Sequence, residues 1–189
     1  MNALNDVPGF LLTPEHVVHL RTERLVLRRF TRDDVALIVE LDSDPEVTRY
    51  VGLTEPTTPL IVEARVFPTV FGWYEKHPAH GFWATHEAST GAFIGWFHYR
   101  PAKVAPHELE LGYRLRRDAW GKGYATEGSR ALLAHAFDTL RDPRVVAHAF
   151  RANRASTRVM EKVGMSFERE ELEDGQPLDW YGINAPRSS

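Results

Sequence analysis

Two glycines and a lysine stand together at Gly121-Lys122-Gly123, between an alternating strand pattern at 108–116 and an amphipathic helix pattern that runs to about Leu140. Glycine lets the backbone come close to a ligand, and the first N–H groups of a helix have no partner within that helix. Together with the helix dipole, these N–H groups favour an anion such as a phosphate. The spacing therefore predicts that the chain holds a phosphorylated cofactor at this turn.

Three phosphate-binding patterns compete for the turn. A Walker A loop requires Ser or Thr after its lysine, whereas Lys122 is followed by Gly123. A dinucleotide-binding loop requires a third glycine where this chain has Thr126. The pattern Gln/Arg-x-x-Gly-x-Gly/Ala, which cradles the pyrophosphate of an acyl-CoA, matches at Gly123 and Ala125 but departs at Trp120. The remaining alternative is that the glycines only permit tight packing of a helix against a sheet.

The elements around the turn are predicted from periodicity and turn residues. Strands are predicted at 24–29, 81–88, 92–99, 108–116, 144–150, 166–172 and 178–183, and helices at 35–41, 59–76, 121–140 and 153–163. Thr31 and Asp34 predict a capping box before the first helix, and Pro68 predicts that the second is kinked or split. This order indicates an α/β fold with a mixed sheet and flanking helices, not a doubly wound parallel sheet.

The chain is expected to hold one domain. Residues 1–20 contain Pro8, Gly9 and Pro14 and are predicted to be an irregular N-terminal extension, followed by a single domain at 21–185. A length of 189 residues suffices for a full hydrophobic core in one domain.

Composition and charge exclude several classes of function. Hydrophobic residues make up 43% and charged residues 26%, as is typical of a soluble globular protein. The net charge of −3 predicts no general attraction to nucleic acid or to an acidic membrane. The absence of cysteine excludes disulfides, thiolate metal sites and a cysteine nucleophile. No segment approaches the ~18 apolar residues of a membrane span, and the N-terminus lacks a signal-peptide pattern, so a cytoplasmic location is expected.

Several separate motifs, spread in order over residues 22–183, give the chain a family resemblance. It resembles the GNAT acyltransferase family and, within it, the branch of ribosomal-protein N-terminal acetyltransferases. The motifs that carry the resemblance are Thr22-Glu23-Arg24-Leu25-Val26-Leu27-Arg28, Gly91-Ala92-Phe93-Ile94-Gly95-Trp96, Glu110-Leu111-Gly112-Tyr113-Arg114-Leu115, Trp120-Gly121-Lys122-Gly123-Tyr124-Ala125-Thr126-Glu127, and Asn153-Arg154-Ala155-Ser156-Thr157-Arg158-Val159-Met160-Glu161-Lys162-Val163-Gly164-Met165. In this branch a tryptophan before Gly-Lys-Gly is normal, so Trp120 fits.

The resemblance implies the GNAT fold and acetyl-CoA as co-substrate. Acetyl-CoA would lie where two parallel strands, at 108–116 and 144–150, splay apart within a mostly antiparallel sheet. Backbone groups for the pantetheine arm would come from Tyr113, Arg114 and Leu115. The pyrophosphate would be held at Trp120, Gly121, Lys122, Gly123, Tyr124, Ala125 and Thr126. The Lys122 side chain either adds charge to this site or points to solvent.

Two further positions match family residues that meet the coenzyme. Asn153 matches an asparagine expected to bond the pantetheine or its water, and it is also a favourable residue at a helix N-terminus. Both roles are compatible. Arg158 lies on the following helix and would meet a phosphate of CoA, although a solvated surface arginine is the favoured interpretation.

The chemistry requires a proton acceptor and a proton donor. An ammonium must lose a proton before it attacks a thioester. In many relatives a glutamate on the first splayed strand takes this proton, often through water, and Glu110 is the best match. Glu108 shares its face of the strand, but a plain surface carboxylate is the favoured interpretation there. Many relatives protonate the thiolate with a tyrosine seven residues after the asparagine; this chain has Met160 there, and the branch suggests Ser156 instead.

Direct transfer of an acetyl group to a primary amine is the implied activity, since no cysteine is present to carry the acyl group. The acceptor is either a protein N-terminal amine or a small amine. The alternative from another class is an acyl-CoA-binding module without catalysis, which Met160 motivates. Because this branch often pairs, a homodimer is a further expectation.

The histidines support no metal site. The pairs His16/His19 and His77/His80 have no ligand-rich neighbours, so no metal is predicted. His98, His107 and His148 fall near the expected cleft and either bind substrate or pack.

Overall fold

The described residues, which in this computed structural model are 16–186 except 54, 78 and 104, contain an eight-stranded sheet. The predicted N-terminal extension lies outside them up to residue 15. The strands are β1 Val18–Arg21, β2 Leu25–Arg29, β3 Gly81–Glu87, β4 Phe93–Pro101, β5 Leu109–Leu115, β6 Arg144–Phe150, β7 Ser166–Glu173 and β8 Gln176–Asn184. They are hydrogen-bonded in the order β1-β2-β3-β4-β5-β6-β8-β7.

The pairing of the strands is mostly antiparallel, and β5 with β6 is the parallel pair. In that pair Glu110 lies beside Val146. A parallel pair requires a long crossover connection between its strands, which the segment between β5 and β6 supplies with a helix. The mixed α/β sheet predicted from the sequence is confirmed.

Each predicted helical segment contains a helix, and Pro45 begins a further short one. The helices are α1 Val35–Ser43, α2 Pro45–Thr48, α3 Pro59–Ile61, α4 Phe67–Lys76, α5 Tyr124–Ala134 and α6 Arg154–Lys162. A π-helical stretch at Val62–Val66 separates α3 from α4, because Pro68 has no N–H with which to continue an α-helical ladder. The predicted split is therefore confirmed. The predicted capping box is also present, with the Thr31 N–H donating to the Asp34 carboxylate at 2.8 Å.

The chain divides into two compact units. Among the described residues, the first contains 16–97 and 113–124, and the second contains 98–112 and 125–186. The core of the first unit is built from Phe30, Ile38, Leu41, Val47, Val62, Phe67, Val70, Ala84 and Phe93. A cluster in the second unit consists of Ala102, Val146, Leu178 and Trp180. The predicted single domain at 21–185 stays a prediction.

The expectation of irregular chain up to residue 20 was wrong for its last residues, which form β1. This strand pairs antiparallel with β2, and the Arg29 N–H donates to the Val17 carbonyl at 2.8 Å. The His19 ring stacks on Trp83 with ring centroids 4.0 Å apart. A four-residue strand is too short to show an alternating pattern, so its pairing with β2 determines its structure.

Candidate active site

The glycine turn, residues 120–123, lies in the first unit immediately before α5. Gly121 and Gly123 have φ angles of +73° and +83°, in the left-handed region that favours glycine. No described atom lies within 4 Å of the position that a Cβ on Gly121 would take, and the nearest atom to one on Gly123 is Arg24 Nη2 at 3.5 Å. The backbone conformation, and not close packing against a neighbour, therefore accounts for glycine at both positions.

Three side chains tether this turn within the first unit. The Trp120 Nε1–H donates to the Leu115 carbonyl at 2.9 Å, and Arg24 Nη1 donates to the Lys122 carbonyl at 3.0 Å. The Tyr124 hydroxyl donates to the Glu87 carboxylate at the end of β3. The Arg24 guanidinium lies 4.8 Å from the Tyr124 ring centroid. Sequence reasoning missed this role of Arg24, although its place in the first family motif was a signal.

The three predicted pantetheine residues lie at the C-terminal end of β5. Leu115 is buried, whereas Tyr113 and Arg114 are half-buried. The Arg114 side chain forms an ion pair with Asp42 and lies 5.0 Å from the Trp96 ring centroid. Since the Arg114 side chain is engaged in this way, only its backbone groups fit the role that the resemblance implies.

The Glu110 cluster, which consists of Glu110, His98, Arg100 and His148, lies in the second unit. Oε1 of Glu110 is 3.2 Å from His148 Nε2 and 3.7 Å from His98 Nε2, and Oε2 is 3.6 Å from Arg100 Nη1. Burial alone would raise the pKa of Glu110. The hydrogen bond from His148 and the surrounding positive charges outweigh burial and lower this pKa to about 2. A carboxyl group with a pKa this far below its ordinary value is ionised at neutral pH.

Strands β4, β5 and β6 each contribute to the cluster. A Cβ on Gly112 would lie 2.2 Å from His98 Nε2, so glycine at this position makes room for the imidazole. The Glu110 Oε2 atom is buried and has no hydrogen-bond partner among the described residues. This oxygen has capacity to accept a hydrogen bond from a water or a bound group.

The interpretation of Glu108 as a plain surface carboxylate was wrong. Its side chain is only 13% exposed and accepts a hydrogen bond from Arg169 Nη2 at 2.9 Å. Arg144 Nη2 lies 3.6 Å from its other oxygen. Both arginines come from other strands, so these ion pairs could not be predicted from the sequence of the strand that follows Glu108.

The predicted residues of the second unit also include those at the beginnings of α5 and α6. Asn153 Oδ1 accepts a hydrogen bond from the Ser156 N–H at 3.2 Å, as the N-cap of α6. Ser156 is half-buried and Arg158 is exposed. Met160 is 6% exposed and packs in the interior. Ala125 and Thr126, in the first turn of α5, are half-buried.

The histidines that sequence reasoning left open separate into two kinds. His98 and His148 face Glu110, whereas His107 is exposed. Within the part of the chain that the structure describes, no three acidic or histidine side chains are grouped so as to hold a metal ion. Among the same residues, no helix is long and apolar enough to cross a membrane.

Comparison with known proteins gives a family match that extends across both units. The acetyltransferase (GNAT) domain family matches residues 24–166. The chain is 30% identical over 178 residues to the uncharacterized N-acetyltransferase YoaA of Bacillus subtilis, a match that covers 89% of this chain and 97% of YoaA.

Solved structures share the fold. An acetyltransferase from Agrobacterium tumefaciens has a TM-score of 0.73 and 27% identity, covering 93% of this chain and 98% of its own. RimL, a ribosomal L7/L12 alpha-N-protein acetyltransferase solved in complex with coenzyme A, has a TM-score of 0.73 and 16% identity, covering 89% and 98%. The family and fold predicted from the motifs are confirmed.

Proposed function

Because this chain belongs to the GNAT family of N-acetyltransferases, which use acetyl-CoA, we propose that it transfers an acetyl group directly to a primary amine. The observation that carries the proposal is the glycine turn. Two exposed glycines with left-handed backbone precede an eleven-residue helix whose first N–H groups lack partners within that helix.

The turn would hold the coenzyme through its diphosphate. Backbone N–H groups at residues 121–126, aided by the dipole of α5, suit two adjacent phosphates. Arg24 already donates to the Lys122 carbonyl and brings a positive charge to the turn. The pantetheine arm would meet the backbone of Tyr113, Arg114 and Leu115, and Asn153 would add a polar contact from the start of α6. Arg158 is the candidate for a CoA phosphate contact.

Proton transfer would centre on Glu110. An acceptor ammonium must lose a proton before its nitrogen attacks the thioester carbonyl. The low pKa of Glu110 makes it a weak base, but a fixed anion that attracts an ammonium and orients the groups beside it. Holding the amine and thioester together would supply much of the rate.

Ser156 is the candidate proton donor to the leaving thiolate. Met160 occupies the position of the tyrosine that many relatives use, and it packs in the interior. The alternative of a non-catalytic acyl-CoA-binding module rested on Met160. That position has a packing role here, and the half-buried Ser156 lies one turn before it on the same helix.

The acceptor is a protein N-terminal amine or a small amine. RimL, which shares the fold, is named for the alpha-amine of a ribosomal protein, but a fold does not determine a substrate. A cytoplasmic location and a homodimer stay predictions.

A panel of acceptors tests the activity. Peptides with different N-terminal residues, amino acids and polyamines are each mixed with acetyl-CoA and wild-type protein, and free thiol release is measured. At least one amine should increase release, and Ser156→Ala should lower that rate about tenfold. The matched control Ser166→Ala changes an exposed serine at the start of β7 and should retain the rate. Binding of acetyl-CoA without release for any amine would instead establish the non-catalytic module.

A further inference from the structure

Glu110 and His148 form a hydrogen-bonded pair whose two members differ in exposure. The Glu110 side chain is 8% exposed, whereas the His148 side chain is 26% exposed. His148 is also more exposed than His98 and Arg100, at 7% and 19%. Within the cluster, His148 is therefore the member most open to a substrate.

The carboxylate is poorly suited to hold the proton itself. It is buried, its pKa is lowered to about 2, and its Oε1 atom already accepts a hydrogen bond. An imidazole, in contrast, is the side chain that exchanges protons between pH 5 and 8. When one imidazole nitrogen donates to a carboxylate, the ring is fixed in the tautomer whose other nitrogen carries a lone pair.

We propose that His148, positioned by Glu110, is the catalytic base that takes the proton from the acceptor ammonium. This inference rests on the acetyl transfer proposed above. One N–H bond of the ammonium breaks and an Nδ1–H bond forms, while Nε2–H continues to donate to Glu110. The amine lone pair then attacks the thioester carbonyl and the C–S bond breaks. The second proton of the amine passes to the thiolate, and the imidazolium later releases its proton to water.

The groups packed around Glu110 and His148 do not compete with His148 for the proton of the ammonium. From β4, His98 and Arg100 face Glu110 and keep it ionised. From β8, Trp180 lies opposite His148 in the ladder, with ring centroids 4.6 Å apart.

The other charged side chains near the pair interact with groups other than Glu110 and His148. Arg169 of β7 lies over the Trp180 ring at 4.1 Å and donates to Glu108. Arg144 of β6 also lies within ion-pair distance of Glu108. Glu108 is therefore bound by two cations, and it is no competitor for the amine proton.

The test compares His148→Gln with the wild type. A glutamine amide nitrogen can take the place of Nε2 and donate to Glu110, but it cannot accept a proton. We expect kcat to fall about 100-fold, with unchanged acetyl-CoA affinity and loss of the acidic limb of the kcat–pH profile. In His148→Ala, added imidazole should restore at least a tenth of the wild-type rate. His107→Gln, at an exposed histidine, should match the wild type.

Two outcomes would overturn the assignment. One is a His148→Gln enzyme within threefold of wild-type kcat that retains the acidic limb, which would assign the proton to Glu110 acting through water. The other comes from nitrogen NMR of labelled wild-type protein, if the neutral His148 ring carries its proton on Nδ1. A wild type that acetylates no amine at any pH would refute the proposed function instead, and the NMR measurement would still decide the pairing.

Discussion

The glycine turn and the Glu110 cluster are built from different kinds of polar group. The turn is exposed and offers backbone N–H groups, whose arrangement follows from the local conformation of two glycines. The cluster surrounds a buried carboxylate with two histidines and an arginine from neighbouring strands, and His148 is its most exposed member. Backbone dipoles carry no titrating proton, whereas the cluster contains two histidines. Coenzyme binding should therefore depend little on pH, and transfer should depend on it strongly.

The largest effect is expected from a substitution in the glycine turn. Gly123→Glu places a side chain on a left-handed residue and a carboxylate beside the expected diphosphate. Acetyl-CoA affinity should fall at least 100-fold, and the rise in melting temperature that ligand produces should disappear. Gly175→Glu is the matched control, because Gly175 also has a positive φ, +76°, and open space around it. If Gly123→Glu retains the ligand-induced rise, the turn does not bind the coenzyme.

At the cluster, Glu110→Gln should separate chemistry from binding. The amide keeps the shape but removes the negative charge that holds the proton-transfer group in place. We expect kcat to fall between about 100- and 1000-fold, with acetyl-CoA affinity within twofold of the wild type. Steady-state kinetics and calorimetric titration measure the two quantities. A parallel loss of affinity would mean that the cluster contributes to coenzyme binding.

The same carboxylate should make folding sensitive to acid. The pKa of Glu110 falls from an ordinary 4.5 to about 2, so its ionised form contributes stability that is fully present above pH 4.5 and is lost as pH falls towards 2. A shift of this size corresponds to about 3 kcal/mol of unfolding free energy. Urea titrations across this pH range should show a shallower pH dependence for Glu110→Gln. Glu173→Gln, at an exposed position of β7, should retain the wild-type dependence.

The smallest effect is expected from the tether at Trp120. Trp120→Phe keeps an aromatic side chain but removes the Nε1–H that donates to the Leu115 carbonyl. One such hydrogen bond contributes about 1 kcal/mol, so acetyl-CoA affinity should weaken about fivefold while kcat stays unchanged. Isothermal titration measures the change. An affinity equal to that of the wild type would show that the turn keeps its shape without this bond.

Local features of the site could be predicted from the sequence. The need for glycine at Gly121 and Gly123 is a property of a short segment and its place before a helix. The capping box at Thr31 and the split at Pro68 are local in the same way. The family motifs also singled out Glu110, whose role in proton transfer stays a prediction.

The surroundings of Glu110 could not be predicted from the sequence. They depend on which residues of β4, β5 and β6 lie side by side, and strand register is a long-range property. Gly112 is an example. A Cβ at this position would collide with the His98 ring, but this contact becomes apparent only when β4 is known to lie beside β5. The pairing of Glu108 with two arginines was missed for the same reason.

The tethers of the turn have a consequence for kinetics. Trp120, Arg24 and Tyr124 hold the loop through contacts within the protein itself, so little conformational entropy should be lost when the coenzyme associates. Coenzyme capture should then follow a single step. In stopped-flow mixing, the observed rate constant should increase linearly with coenzyme concentration, without the plateau that a slow rearrangement would impose.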